Sequence, residues 1–226
     1  MGAYERSVML GEIKKCNGGV KFLQEGEEYY HFLSRIKHES RPSSERKSEH
    51  GRGGCKRCGS YDPFTTAFKT PLLYRGDVER WACREATILW FAYAMHGFFQ
   101  SLGGKKLVLI AMPTSKPRDS ALFNDRIDVS LRALQNLGEY DVRFCIDRTC
   151  AQMPVFHGGF RNVKKIMQTS YIHDERGIPQ GSEVFLVDDV IATGAHFKAY
   201  KTMVAQHYGI CEARIKGLFL ARYKRA

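Results

Sequence analysis

A chain of 226 residues, 43% hydrophobic and 26% charged, has the balance of a folded globular protein and not of a disordered one. Lys and Arg exceed Asp and Glu by 35 to 24, and the formal charge of +11 predicts attraction to polyanions, whether nucleic acid or a pyrophosphate substrate. No apolar run reaches the roughly 18 residues of a membrane span, and the opening MGAYERSVML lacks a cationic stretch before an apolar core, so a cytoplasmic protein with no membrane partner is expected.

In chain order, Val20, Phe22 and Leu23, then Tyr29, Tyr30, Phe32, Leu33 and Ile36, suggest a short strand and an amphipathic helix, too little for an independent core. The polar run SRPSSERKSEHGRGG (40–54) reads as a linker. The economical division is an N-terminal annex over residues 1–84 and one catalytic domain over 85–226. Seven cysteines, an odd number without a secretion signal, argue against a disulfide framework. Cys55 and Cys58, in CKRCG, have the spacing of a zinc knuckle, with further ligands drawn from Cys16, Cys83, His38 or His50. Two free thiols are the alternative. Cys145 and Cys211 stand in apolar, core-like contexts.

The stretch EATILWFAYAMHGFF (85–99) is apolar on most faces, as in a helix buried against a sheet. KLVLIAM (106–112), closed by Pro113, predicts a central parallel strand. Leu122, Ile127, Leu131, Leu134 and Leu137 fall at helical spacing, with Gly138 placed to end the helix. There follow a strand over 142–146, a long mixed loop, a short helix over 162–168, an apolar strand over 184–187, a helix over 197–207 and a last strand over 213–221. Apolar strands alternating with amphipathic helices imply an α/β fold on a mainly parallel sheet flanked by helices.

In such sheets ligands sit beyond the carboxyl ends of the strands. After the 184–187 run come Asp188 and Asp189, two aliphatic residues, then Ala192, Thr193, Gly194, Ala195 and His196 leading into a helix. A turn of small residues at a helix N-terminus presents free N–H groups and the positive end of the dipole, which together bind a phosphate. Neighbouring carboxylates at the strand end can accept from two ribose hydroxyls. One phosphate and one diol describe a ribose 5-phosphate. The plain alternative is a buried strand ending in a solvated acidic turn. No G-x-x-x-x-G-K-[ST] or G-x-G-x-x-G occurs, so P-loop and dinucleotide sites lack their fingerprints.

VFLVDDVIATGAHF (184–197) resembles the 5-phosphoribosyl-1-pyrophosphate (PRPP) motif of the type I phosphoribosyltransferases. The resemblance implies that Asp188 and Asp189 hold the ribose hydroxyls and that residues 192–196 cradle the 5-phosphate. Ala192 and His196 depart from the Thr or Ser usual there. The loop MPTSKPRDSALFNDR (112–126) offers Thr114, Ser115, Lys116 and Arg118 to the pyrophosphate, though a solvated basic turn has the same composition. RTCAQMPVFHGGFRNVKK (148–165) is a candidate lid carrying Gln152, Arg161, Asn162 and Lys164.

Phe123 with Asn124, Gln152 with the later Arg161 and Asn162, and the closing Leu220, Ala221 and Arg222 resemble the competence-protein ComF family over residues 106–222. That implies a PRPP-binding domain in a setting of DNA uptake and processing. The leading expectation is a magnesium-dependent transfer of phosphoribosyl from PRPP to a nitrogen acceptor, with release of pyrophosphate. Orientation and electrostatics suffice for that chemistry, and the sequence shows no Ser-His-Asp or Cys-His constellation. The competing expectation is a PRPP-sensing or vestigial-site protein that binds single-stranded nucleic acid without turnover.

Overall fold

The computed structural model describes residues 14–17, 23, 27–37, 63–120, 123–150 and 162–225. It is a mixed α/β structure whose main sheet has six strands, in the order β1-β2-β8-β7-β3-β4. The strands are β1 (Lys14–Asn17), β2 (Glu28–Lys37), β3 (Leu107–Ala111), β4 (Asp141–Arg143), β7 (Glu183–Ile191) and β8 (Ile215–Arg225). Every neighbouring pair is parallel except β1 with β2. β5 (Ile146–Arg148) and β6 (Ser170–Ile172) form a separate antiparallel pair.

Helices cover both faces because the strands are apolar on both. On one side α2 (Val78–Ser101) and α3 (Arg126–Gln135) lay Phe91, Met95, Phe99, Leu131 and Leu134 on Leu109, Phe185, Val187 and Leu218. On the other, α4 (Val163–Gln168) and α5 (Ala195–Tyr208) lay Ile166, Phe197, Tyr200 and Val204 on Ile110, Val184, Leu186 and Phe219. Burying each such side chain is worth about 1.5–3 kcal/mol, so this layered contact dominates the stability. Gly217 lets the second face close: a Cβ there would come within 2.6 Å of the Phe219 ring and 3.1 Å of the Phe197 ring. Among the described residues no helix is long and apolar enough to cross a membrane.

Several sequence expectations need correction. The helix expected in the first segment is instead β2, a strand of the main sheet hydrogen-bonded in parallel to β8. Tyr29 packs on the α5 side and Tyr30 and Phe32 on the α2 side, and an apolar strand buried on both faces shows no alternation to read. The boundary expected at 84/85 falls inside α2, which starts at Val78 and is capped by Asp77 accepting from the Arg80 N–H at 3.1 Å. A short helix, α1 (Pro63–Phe68), packs on α2 through Phe68 and Phe91. The 142–146 strand splits into β4 and β5, and Cys211 is exposed, whereas Cys145 is buried.

Candidate functional site

Connections from β3 run through α3 to β4 on one side of the sheet, and those from β7 run through α5 to β8 on the other. The order therefore reverses between β3 and β7, and a crevice opens beyond their carboxyl ends, the place where open α/β sheets bind ligands. Both loops singled out in the sequence end there. Residues 113–118 follow β3, and residues 192–194 lead from β7 into α5.

Gly194 caps α5 with φ 79° and ψ 0°, left-handed backbone that a glycine adopts without strain, and it has no side chain to satisfy the helix. The first intrahelical bond is Lys198 N–H to the Gly194 carbonyl at 2.8 Å, so the preceding N–H groups of the first turn are left for another acceptor. Ala192 and Thr193 are half-buried beside them, and Ala195 is buried.

The acid pair departs from expectation. β7 does not end at Val187 but continues to Ile191, pairing with β8 as far as Arg222, so Asp188 and Asp189 lie inside a strand and are only 7% and 6% exposed. The pleat sends them to opposite faces. Asp189 lies on the α3 side, where Arg126 donates to Oδ2 through Nε (3.0 Å) and Nη2 (2.7 Å), and Lys69 Nζ stands 2.9 Å away. These two cations outweigh burial and hold its carboxyl below the ordinary range. Asp188 lies on the α5 side, and its Oδ1 accepts from the Asp189 N–H at 2.7 Å. Burial first, then the charge of Asp189, pushes its carboxyl well above the usual range, so of the two acids Asp188 is the one that keeps its proton to higher pH.

Arg148 is the residue that motif reading misses. It is 3% exposed; its Nε donates to the Thr114 carbonyl at 2.7 Å, its Nη2 lies 3.4 Å from His196 Nε2, and the Tyr200 ring sits 5.8 Å from the guanidinium carbon. Nη1 is buried without a hydrogen-bond partner, and among the described residues no carboxylate forms a salt bridge with this arginine. A buried cation without a counter-ion is costly, and such a group usually marks a ligand site. The sequence signal was faint: a cation at a buried position of a short strand, beyond any motif.

Thr114, Lys116, Arg118 and Arg148 line a small, shallow crevice together with Met112, Phe123, Asp128 and Asp147. Arg118 lines the crevice with its guanidinium engaged by two carboxylates. It is ion-paired with Asp128 and, at 2.7 Å, with Asp147, which also holds His173 at 3.0 Å. Thr114 Oγ1 donates to the Lys116 carbonyl at 3.2 Å and so shapes the turn, in which Ser115 is half-buried.

Of the proposed lid, Asn162 caps α4 by accepting from the Lys165 N–H at 3.3 Å, and Lys164 is exposed on that helix. Gln152 and Arg161 lie outside the described residues, as do Cys55 and Cys58. Of the other zinc ligands considered, Cys83 is exposed on α2, Cys16 lies 3.6 Å from His31 Nε2, and His38 and His50 are outside the described residues. Among the described residues no group of three or more His, Cys, Asp or Glu could hold a metal. The chain matches no family model and no curated protein sequence.

Proposed function

We propose that the crevice between β3 and β7 binds PRPP and that the protein is a type I phosphoribosyltransferase, most like the ComF family, acting on a nitrogen acceptor. The observation that carries this reading is the meeting, at the switch point, of an uncapped α5 N-terminus with a buried arginine whose Nη1 lacks a partner. One anion subsite would be the turn 192–196, for the 5-phosphate. The second would be Arg148 with Lys116, for the pyrophosphate, since both line the crevice after β3. The protonated Asp188 would donate to a ribose hydroxyl while Asp189 stays bound to Arg126 and Lys69.

In the reaction the acceptor nitrogen forms the bond to C1, and the C1–O bond breaks with its electron pair leaving on pyrophosphate. The nitrogen proton passes to solvent or base. Magnesium would be carried by pyrophosphate and ribose oxygens, the usual habit of an ion that keeps its waters. Zinc at Cys55 and Cys58 is a separate proposal that elemental analysis of the full chain decides, with about one zinc per chain expected and lost when both become Ser.

Calorimetric titration with magnesium and PRPP tests the site, and a screen of nitrogen acceptors for pyrophosphate release tests turnover. Binding followed by release supports the enzyme. Salt-sensitive binding of single-stranded nucleic acid with no PRPP consumption would favour the binding protein instead.

A further inference from the structure

The phosphate turn ends in a histidine, and its imidazole lies against Arg148. The guanidinium is held from three directions: the Thr114 carbonyl takes Nε–H at 2.7 Å, His196 Nε2 lies 3.4 Å from Nη2, and the Tyr200 ring supports the plane at 5.8 Å. Among the described residues Nη1 has no hydrogen-bond partner, although it is buried. The remaining polar contact of Tyr200 is with Ser170 Oγ at 3.2 Å, so the tyrosine hydroxyl is engaged away from the arginine.

We propose that His196 is a positioning residue: by accepting from Arg148 Nη2 through Nε2, it fixes the guanidinium so that Nη1 faces the anion bound in the crevice. The proposal rests on the reading of the crevice as an anion site. The hydrogen-bond role of the imidazole is independent of that reading.

Both partners cannot donate. A guanidinium has only N–H donors, so Nε2 has to be the bare nitrogen and the ring hydrogen has to sit on Nδ1. An imidazolium would set two cations face to face in a buried place. Burial, reinforced by Arg148, pushes His196 down to about 4, while the Asp189 charge opposes the shift, so the ring is a neutral acceptor across the physiological range. Without the imidazole, Arg148 keeps its charge but loses one of the contacts that orient its rigid plane, which can then swing about Cδ–Nε and carry the terminal nitrogens away from the ligand. The substitution should therefore weaken anion binding without removing the cation.

Nitrogen NMR of the imidazole in the full chain at pH 7, with the His196 signal identified by its loss in His196→Gln, reads the tautomer directly. A protonated Nδ1 and bare Nε2 are expected, with the preference weakened in Arg148→Leu. Calorimetry with magnesium pyrophosphate, and then with PRPP, supplies the functional arm. His196→Leu should lower affinity by about five- to tenfold, of the order of one net hydrogen bond. His196→Gln, whose amide oxygen can take the place of Nε2, should recover most of the loss. In an Arg148→Leu background His196→Leu should add almost nothing; if that background does not fold, the Leu and Gln variants still decide.

A wild-type ring protonated on Nε2 overturns the proposal, as does a Gln variant no better than Leu, or full additivity with Arg148→Leu, while wild-type binding leaves the site itself standing. Wild-type protein that binds neither pyrophosphate nor PRPP overturns the anion reading and this proposal together.

Discussion

Asp188 and Asp189 are adjacent in the chain and share one strand, yet the two sides of the sheet treat them oppositely. On the α3 side Asp189 meets Arg126 and Lys69 and is a buried charge with its counter-charges in place. On the α5 side Asp188 meets no side-chain cation within ion-pair distance among the described residues; its Oδ1 accepts from the Asp189 N–H. The same chemical group is a staple on one face and a held proton on the other. The charge without a counter-ion on the α5 side, among the described residues, is instead Arg148, which lines the crevice after β3.

The largest expected effect breaks the staple. Asp189→Asn leaves Arg126 and Lys69 facing a neutral amide, and removing one partner of a buried pair costs about 3–5 kcal/mol. Lys69 is a third exposed and can return to water, so a value near the lower end is expected from urea unfolding at pH 7. A loss below about 1 kcal/mol would mean that the pair is loosely held and that Asp189 is free for a ligand.

Packing on the α5 face comes next. Gly217→Ala forces a methyl against the rings of Phe197 and Phe219, each only 1% exposed and without room to retreat. Overpacking of this kind costs about 1–3 kcal/mol. An unchanged unfolding midpoint would show that the face is looser than it looks. At the turn itself, Gly194→Ala places a Cβ in left-handed backbone at a cost of about 1–2 kcal/mol. If the turn is the phosphate site, PRPP affinity should fall further than stability does, because the ligand needs that backbone geometry. Equal stability and affinity in wild type and variant would remove the turn from the site.

What could be read in the sequence divides along the same line between local and long-range information. β3, β7 and α5 are legible because an apolar run of strand length and an apolar helix are local patterns, and the phosphate turn is legible because Gly194 and its neighbours are contiguous. β2 is not, because Tyr29 and Tyr30 are buried on opposite faces and the alternation that marks a half-exposed strand is missing. The burial of the acid pair could not be read, since two consecutive aspartates look like the end of a strand. Arg126, 63 positions away, and Lys69 are what make a buried charge at Asp189 tolerable. Arg148 escaped for a related reason: its significance is the absence of a partner, and an absence has no local signature.

The last effect is the most discriminating, and it concerns the proton on Asp188. Below the ordinary carboxylate range, about pH 4, both folded and unfolded chains carry that proton. Asp188→Asn is then close to isosteric and should change stability by no more than about 1 kcal/mol, because the amide oxygen can still accept from the Asp189 N–H. Above that range the unfolded chain ionises while the folded one keeps its proton, the raised folded value being due to burial and to Asp189. The unfolded state then binds fewer protons than the native state, so wild-type stability falls as pH rises toward the folded value. The Asn variant carries no such slope. Urea unfolding at pH 4.5 and 7.5 should therefore show Asp188→Asn gaining on wild type as pH rises, while the Asp189 contribution, present in both proteins and lost only in acid, cancels in the difference. If wild type gains on the variant instead, Asp188 is ionised and paired in the folded protein, and the contrast between the two faces of β7 collapses.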